Sequence, residues 1–452
     1  MEVRLTMEEV LVMAFVLSIF AVFLAIGFID YRHSNHIKGF VLADRSQGAL
    51  AVGLSLSATI MGASSTIGMA ALVCRVGLPG LWWLLSGVIG LLILHLFLAK
   101  KANMLNVMTL PEAMGKFYGP KAQYFSAILI VVAWSGIVAA QFIAAGKVLS
   151  VVSHMDYKTL VVLSGLFTVL YTFVGGQFSV FKTDRIQFII LFVGIALVVA
   201  FMAFKFHAPK VESTLLSFPV NEHFSIKKLI LFLLVVGLPY AAGPDMYSRI
   251  FAAKDPKAAQ GGVLIAIIAI LASAFLIGAI GLYAHVFSPS GEKILIVMAK
   301  SALPPVLSYL FIAAILSAIV SSADTCLLSA STILSLDILK MKSVATIRLM
   351  VAVIGIASIM IALYYGGIIK TLLISYGIYT GSVAVPLIAG FFKDKIKIEN
   401  KYALFAIFAS AFVAFVLSAM KNEYSGLISI IISTVLLFIG YLLSSRKPVR
   451  AA

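Results

Sequence analysis

The segment SAIVSSADTCLLSASTILSLDI, at 317–338, holds the densest set of chemically capable residues in the chain. At about 100° per residue, Ala318, Ser321, Ser322, Thr325 and Ser329 fall within one arc of roughly 100°, so four hydroxyls share a helix face. Asp324 adjoins that stripe, about 60° from Ser321 by the same spacing. An oxygen-only donor set suits a hard cation. The hydroxyls of Ser321 and Ser322, joined by backbone carbonyls released from an interrupted helix, would cage sodium without a formal charge. Helix-to-helix hydrogen bonding is the competing reading, because Ser and Thr also bond the carbonyl four residues back. Residue types alone leave the two open.

Acids inside a membrane are costly and usually functional. Asp184 opens an apolar run, with Gln187 three residues on, so capping of a helix start is an equally open role. Asp245 and Arg249 stand four apart, the spacing of an intrahelical ion pair. Glu112 and Asp337 lie near span boundaries and are assigned no chemistry. No paired acid/base or nucleophile constellation marks an enzyme, and no residue is a catalytic candidate. Cys74 and Cys326 form neither a disulfide framework nor a metal pattern. His33 and His36 share a loop, but the seven histidines are otherwise scattered.

The elements that must position these groups are transmembrane helices. The sequence is 62% hydrophobic and 12% charged, with a mean hydropathy of +1.11, whereas a soluble domain carries about 25% charged residues. Apolar runs of roughly 20 residues, each long enough for a bilayer core of about 30 Å, recur from end to end. Thirteen spans are expected, near 9–31, 48–73, 77–99, 122–151, 158–174, 185–205, 226–248, 260–287, 303–338, 343–365, 367–391, 401–420 and 424–445. The first reads as a retained anchor, since its leader carries Glu2, Glu8 and Glu9 rather than a basic cluster and its core exceeds that of a signal peptide. The loop at 205–227, with Pro209 and Pro219, reads as a connector, and no soluble domain is expected.

Of the 34 Lys and Arg residues, 22 fall on the side holding Arg32, Lys100, Lys101, Arg185, Lys254, Lys340, Lys393 and Arg446. Excess Lys and Arg mark the cytoplasmic face, which places the N-terminus outside and the C-terminus inside a cell membrane. The net charge of +16 then faces anionic lipid and calls for no nucleic acid.

Two spans are built against the rule of uniform Leu, Ile and Val. Span two carries Ser57, Ala58, Thr59, Gly62, Ala63, Ser64, Ser65, Thr66 and Gly68 at mid-membrane depth, and span seven carries Gly237, Pro239, Gly243 and Pro244. Proline removes a donor and clashes with the preceding turn. Unwound backbone at that depth belongs in protein or beside a cavity. The two spans correspond if the chain holds two five-helix repeats, at 48–205 and 226–391, the second inverted. One extra helix and a first loop at 1–47 would precede them, and two extra helices with a short tail at 392–452 would follow. Paired interruptions of this kind point to a transporter's binding site. For the Gly and Ala positions close helix packing is the competing reading.

Six segments in order resemble the sodium:solute symporter family: LADR at 42–45, SLSATIMGASSTIGM at 55–69, MTLPEAM at 108–114, GGQFSVFKTDRIQ at 175–187, RIFAAKD at 249–255 and SSADTCLLSASTILSLDIL at 321–339. The resemblance runs from about Gly39 to Gly390. It implies an all-α, leucine-transporter-type five-plus-five inverted repeat. It also implies a sodium site formed by the carbonyls of Ala58, Met61 and Ala318 with the hydroxyls of Ser321 and Ser322. Asp184 matches the aspartate of the family's TD-x-x-Q motif, tied there to the inner sodium path. Two positions depart from the family's pattern. Leu84 and Gly87 stand where sugar carriers place polar groups, and Ile60 stands where proline carriers have an acid.

The expected activity is sodium-coupled symport of a small organic solute, an amino acid or short organic acid rather than a sugar. Ser64, Ser65, Gln141, Tyr240 and Tyr376 are the candidate substrate residues. Gln141 lies in the apolar AWSGIVAAQFIAAGKV, where an amide has no reason to meet lipid, and Tyr240 borders the interruption in span seven. Interfacial belts supply another reading of the tyrosines. Asp184, Asp324 and Thr325 are candidates for an ion pathway or a second cation, Asp324 standing where some relatives have serine. Two alternatives remain: a proton-coupled carrier working through Asp184 and Asp324, and a solute sensor that does not transport.

Overall fold

A computed structural model describes residues 7–30, 36–206, 211–287 and 293–445, with some side chains of 7–30 left aside. Glu2, Arg32, His33, Pro209 and Arg446 lie outside the described residues, and Glu8 and Glu9 are described in backbone only. Among the described residues every regular element is helical, as a chain without water to satisfy its backbone requires. The first helix, α1, runs Met7–Asp30. The second span, α2, is a bent pair, Ala49–Ile60 and Ser64–Val76, with 63° between its halves. Next come α3 Leu78–Met104, α4 Pro120–Leu149, α5 Tyr157–Val174 and α6 Gln177–Lys205. The second half continues with α7 Ile226–Ala252, α8 Pro256–Phe287, α9 Pro305–Ile338, α10 Val344–Tyr365 and α11 Ile368–Gly390. The last two are α12 Asn400–Ala419 and α13 Ser425–Ser445. Eleven of these are long and apolar enough to cross a membrane, the bent α2 makes a twelfth span, and α1 covers the expected first span with 24 helical residues.

Burial separates inner from outer helices. The apolar windows of α4 and α9 are 83% buried, against 33% for α6, α12 and α13. The helix that carries the hydroxyl stripe is therefore central, with α4 packed along it.

The structure changes three expectations about the spans and the loop between them. Helix α6 begins at Gln177, eight residues before the expected start, and α7 runs on to Ala252, taking Arg249 into the buried core. The connector at 205–227 is partly folded. It holds a helical turn at Ser213–Leu216, and the Asn221 amide donates to the Val76 carbonyl at 2.7 Å while the Trp82 indole donates to Pro219 at 3.0 Å. Glu112 also acquires a role. Its carboxylate accepts from the Met108 N–H at 2.7 Å and the Thr109 hydroxyl accepts from the Glu112 N–H at 3.2 Å, a reciprocal cap for the helix Leu110–Tyr118.

Candidate functional site

The interruption of α2 falls at Met61 and Gly62, ahead of the Ser64-Ser65-Thr66 run, which is wound into the helix that follows. Met61 (φ −80°, ψ 42°) leaves helical geometry while its N–H still donates to Ser57 at 2.9 Å. Carbonyls just before such a stop lose their helical partners. Here α9 supplies one: the Ser322 hydroxyl lies 2.9 Å from the Thr59 carbonyl and 3.3 Å from that of Ala58. Gly62 permits the approach, for a Cβ there would sit 2.5 Å from the Ser322 Oγ and 2.9 Å from the Gln141 Oε1. Gln141 of α4 in turn accepts the Ala63 N–H at 2.9 Å. Ala318 lies one turn earlier on α9 and is also buried.

The stripe on α9 divides its work. Ser321 donates to Asp184 Oδ1 at 2.5 Å, and Ser55 of α2 donates to Asp184 Oδ2 at 2.5 Å. Arg249 reaches the same carboxylate at 3.1 Å, the Ser55 Oγ at 3.1 Å and the Ser248 Oγ at 2.9 Å, and also donates to the Thr325 hydroxyl. A single buried network thus ties α2, α6, α7 and α9. Two expectations change here. Asp184 is not a cap, because α6 starts a full seven residues earlier at Gln177 after Gly176. Arg249 pairs with Asp184 and not with Asp245, although both lie on the continuous segment Pro244–Ala252, because its guanidinium reaches out to Asp184, Ser55 and Thr325 on the neighbouring helices. The sequence held one signal for this: an arginine at the head of RIFAAKD, within reach of an apolar span.

Helix α7 is interrupted at Gly243, which is extended (φ −70°, ψ 140°) between Gly237–Ala242 and Pro244–Ala252. Pro239 removes a donor one turn before, and the preceding turn at Phe232–Val236 widens into a π-bulge, the adjustment such a missing donor invites. Tyr379 of α11 donates to the freed Ala242 carbonyl.

Between the two interruptions lies a small cavity of about 30 Å³, walled by Thr59, Ile60, Ser64, Trp134, Ile137, Gln141, Pro239, Tyr240, Asp245, Met246, Ser322, Cys326 and Tyr376. That is space for a water rather than an organic solute. Of the substrate candidates, Ser64, Gln141, Tyr240 and Tyr376 meet on this wall. Ser65 does not; it is buried behind Tyr240. Ile60 is on the wall, whereas Leu84 is packed away and Gly87 abuts the Tyr240 ring. Trp134 and Asp245 were missed, since neither residue alone shows which way it faces.

The ion-pathway candidates separate. Asp184 and Thr325 share Arg249, while Asp324, 2% exposed, faces Tyr171 and Thr172 of α5. Among the described residues no cation pairs with Asp324, and no cluster of His, Cys, Asp and Glu could hold a transition metal.

Comparison with known proteins places this geometry. An osmoregulated proline transporter of Bacillus subtilis is 28% identical over 343 residues, 71% of this chain and 69% of that one. A high-affinity choline transporter of Homo sapiens is 27% identical over 331 residues, 67% of this chain and 56% of that one. A substrate-bound, outward-open structure of a Na+-coupled sialic acid symporter superposes with a TM-score of 0.80 at 18% identity, covering 96% of this chain and 98% of the other. The fold is the leucine-transporter type. The profile of the sodium:solute symporter family matches residues 40–365, and the chain belongs to that family.

Proposed function

We propose that this protein is a sodium-coupled symporter of a small organic solute in the cell membrane, working by alternating access between repeats at 48–205 and 226–391. Its N-terminus is outside and its C-terminus cytoplasmic on the Lys and Arg distribution. One observation carries the reading: the Ser322 hydroxyl lies on carbonyls at the interruption of α2. Sodium takes oxygen ligands. With the Ala58, Met61 and Ala318 carbonyls and the Ser321 and Ser322 hydroxyls around it, sodium would bridge α2 to α9 and bias their relative position. An ion shifts such an equilibrium only by its differential affinity for the two states, and the coupling is reciprocal.

The solute would lie between the two interruptions against Ser64, Gln141, Tyr240 and Tyr376, with Ser65 behind. Relatives named for proline and choline and the apolar Leu84 and Gly87 favour an amino acid or another small charged organic solute over a sugar. A separate cleft of about 20 Å³ has Thr109, Gln177, Ser248, Ser329 and Thr332 among a mostly apolar lining that includes Met108, Phe251 and Leu328. A potential of about 100 mV supplies roughly 2.3 kcal/mol per charge. A tenfold sodium gradient adds about 1.4 kcal/mol. One sodium per cycle therefore sustains accumulation of a neutral solute by a few hundredfold.

A second reading rests on Asp324, a buried carboxylate without a cation beside it among the described residues. It would carry a proton or a second cation during the cycle.

Thermal unfolding of the purified protein in sodium against potassium tests the main reading, because a ligand that binds only the folded form raises its stability. Sodium-specific stabilisation that Ser321→Ala/Ser322→Ala abolishes supports the site. Equal melting in the two salts for the wild type overturns it and leaves the proton-coupled reading.

A further inference from the structure

The cavity wall carries one acid that no cation of the described residues pairs with, its charge being met by the backbone N–H groups of Asp245 and Met246 and by the more distant Arg249. Asp245 begins the second half of α7 and is only partly buried, while its neighbours Pro244 and Met246 are closed off. Among the described residues it makes no ion pair. Arg249, one turn on, is committed to Asp184, Ser55, Ser248 and Thr325. The Cys326 thiol, 3.9 Å from Asp245 Oδ2, is a weak donor. A carboxylate left this way inside a membrane protein is costly unless a cation meets it.

The same wall holds Trp134, Tyr240 and Tyr376. Aromatic faces attract organic cations, by about 0.5–2 kcal/mol according to their desolvation. Gln141 has committed its carbonyl oxygen to the Ala63 N–H, so the group it retains for a ligand is its NH2 donor. The start of Pro244–Ala252 would by itself favour an anion, but Asp245 occupies its first turn and reverses the sign of the local charge. A solute whose only charge is a carboxylate would meet like charge there.

We infer that the solute of this carrier bears a cationic nitrogen, a substituted or quaternary ammonium, which is seated against Asp245 among Trp134, Tyr240 and Tyr376. This deepens the symporter reading and rests on it for the location of the solute. It narrows the candidates to amino acids, betaine-like zwitterions and amines, and removes short organic acids that lack nitrogen.

The test is thermal unfolding of the full-length purified protein in sodium, with proline, choline, lactate and glucose as separate probes at saturating concentration. Stabilisation by proline or choline, with none by lactate or glucose, is the expected result. In Asp245→Asn the apparent affinity for the stabilising probe is expected to fall at least tenfold, with Asp245→Glu retaining more of it than Asp245→Asn. A cooperative melt of each variant verifies that it is folded. Stabilisation by lactate or glucose alone, no response to either nitrogen cation, or unchanged affinity in Asp245→Asn overturns the inference. A wild type indifferent to sodium strikes the coupling reading instead, and the same four probes repeated in potassium still decide whether a cationic nitrogen is bound.

Discussion

The Asp184 carboxylate and the Arg249 guanidinium meet at 3.1 Å with their side chains 1% and 0% exposed. They join α6 to α7, and the Ser55, Ser321 and Thr325 hydroxyls complete the set from α2 and α9. Removing one partner of such a buried pair leaves an uncompensated charge, at a cost of about 3–5 kcal/mol. Arg249→Met and Asp184→Asn are each expected to lower stability by that order. The double variant should lie closer to wild type than the sum of the singles. Thermal melts of the four proteins check this, and additive losses would show that the pair is not coupled.

Gly62 bears on the sodium site through its size alone. A methyl there would sit 2.5 Å from the Ser322 Oγ and 2.8 Å from its Cβ, so α9 would have to retreat from the interruption of α2. Gly62→Ala is expected to cost about 1–3 kcal/mol, as overpacked sites do, and to weaken the sodium-dependent rise in melting temperature. Full sodium response in Gly62→Ala would mean that the close approach of Ser322 is dispensable.

Gln141 satisfies a backbone donor that no helical partner reaches. In Gln141→Ala the Ala63 N–H is left unmet, which costs about 1–3 kcal/mol. Gln141→Glu keeps the acceptor, so its melting temperature should exceed that of Gln141→Ala. The reverse order would place the value of Gln141 in its NH2 group.

Asp324 is expected to count in the stoichiometry. Reversal potentials of uptake into proteoliposomes, measured for wild type and Asp324→Asn, give the charge moved per solute. A changed ratio, with weaker dependence on pH, assigns Asp324 to coupling. An identical ratio removes it.

Much of the fold was legible before any coordinates. Composition and the recurrence of apolar runs identify the spans because a bilayer allows only self-satisfied backbone, and Gly243 with Pro239 and Pro244 marks α7 as interrupted because proline lacks a donor. Boundaries set by charges were less secure. Asp184 and Arg249 read as span ends, yet each is paired within the membrane, and pairing is invisible in one dimension.

The stripe of Ala318, Ser321, Ser322, Thr325 and Ser329 follows from sequence alone, since helical periodicity puts those residues on one face whatever surrounds them. What that face meets is decided only by packing: Ser322 on the carbonyls of α2, Ser321 on Asp184, Thr325 on Arg249. The same holds for Asp245, whose spacing from Arg249 promised an ion pair, whereas Asp184, Ser55 and Thr325 on other helices take the guanidinium and Asp245 lies on the cavity wall. Local spacing determines which side chains share a helix face. Only the packing of separate helices, with sequence separations of 65 to 264 residues in these contacts, determines which charge finds its partner and which is left for a ligand.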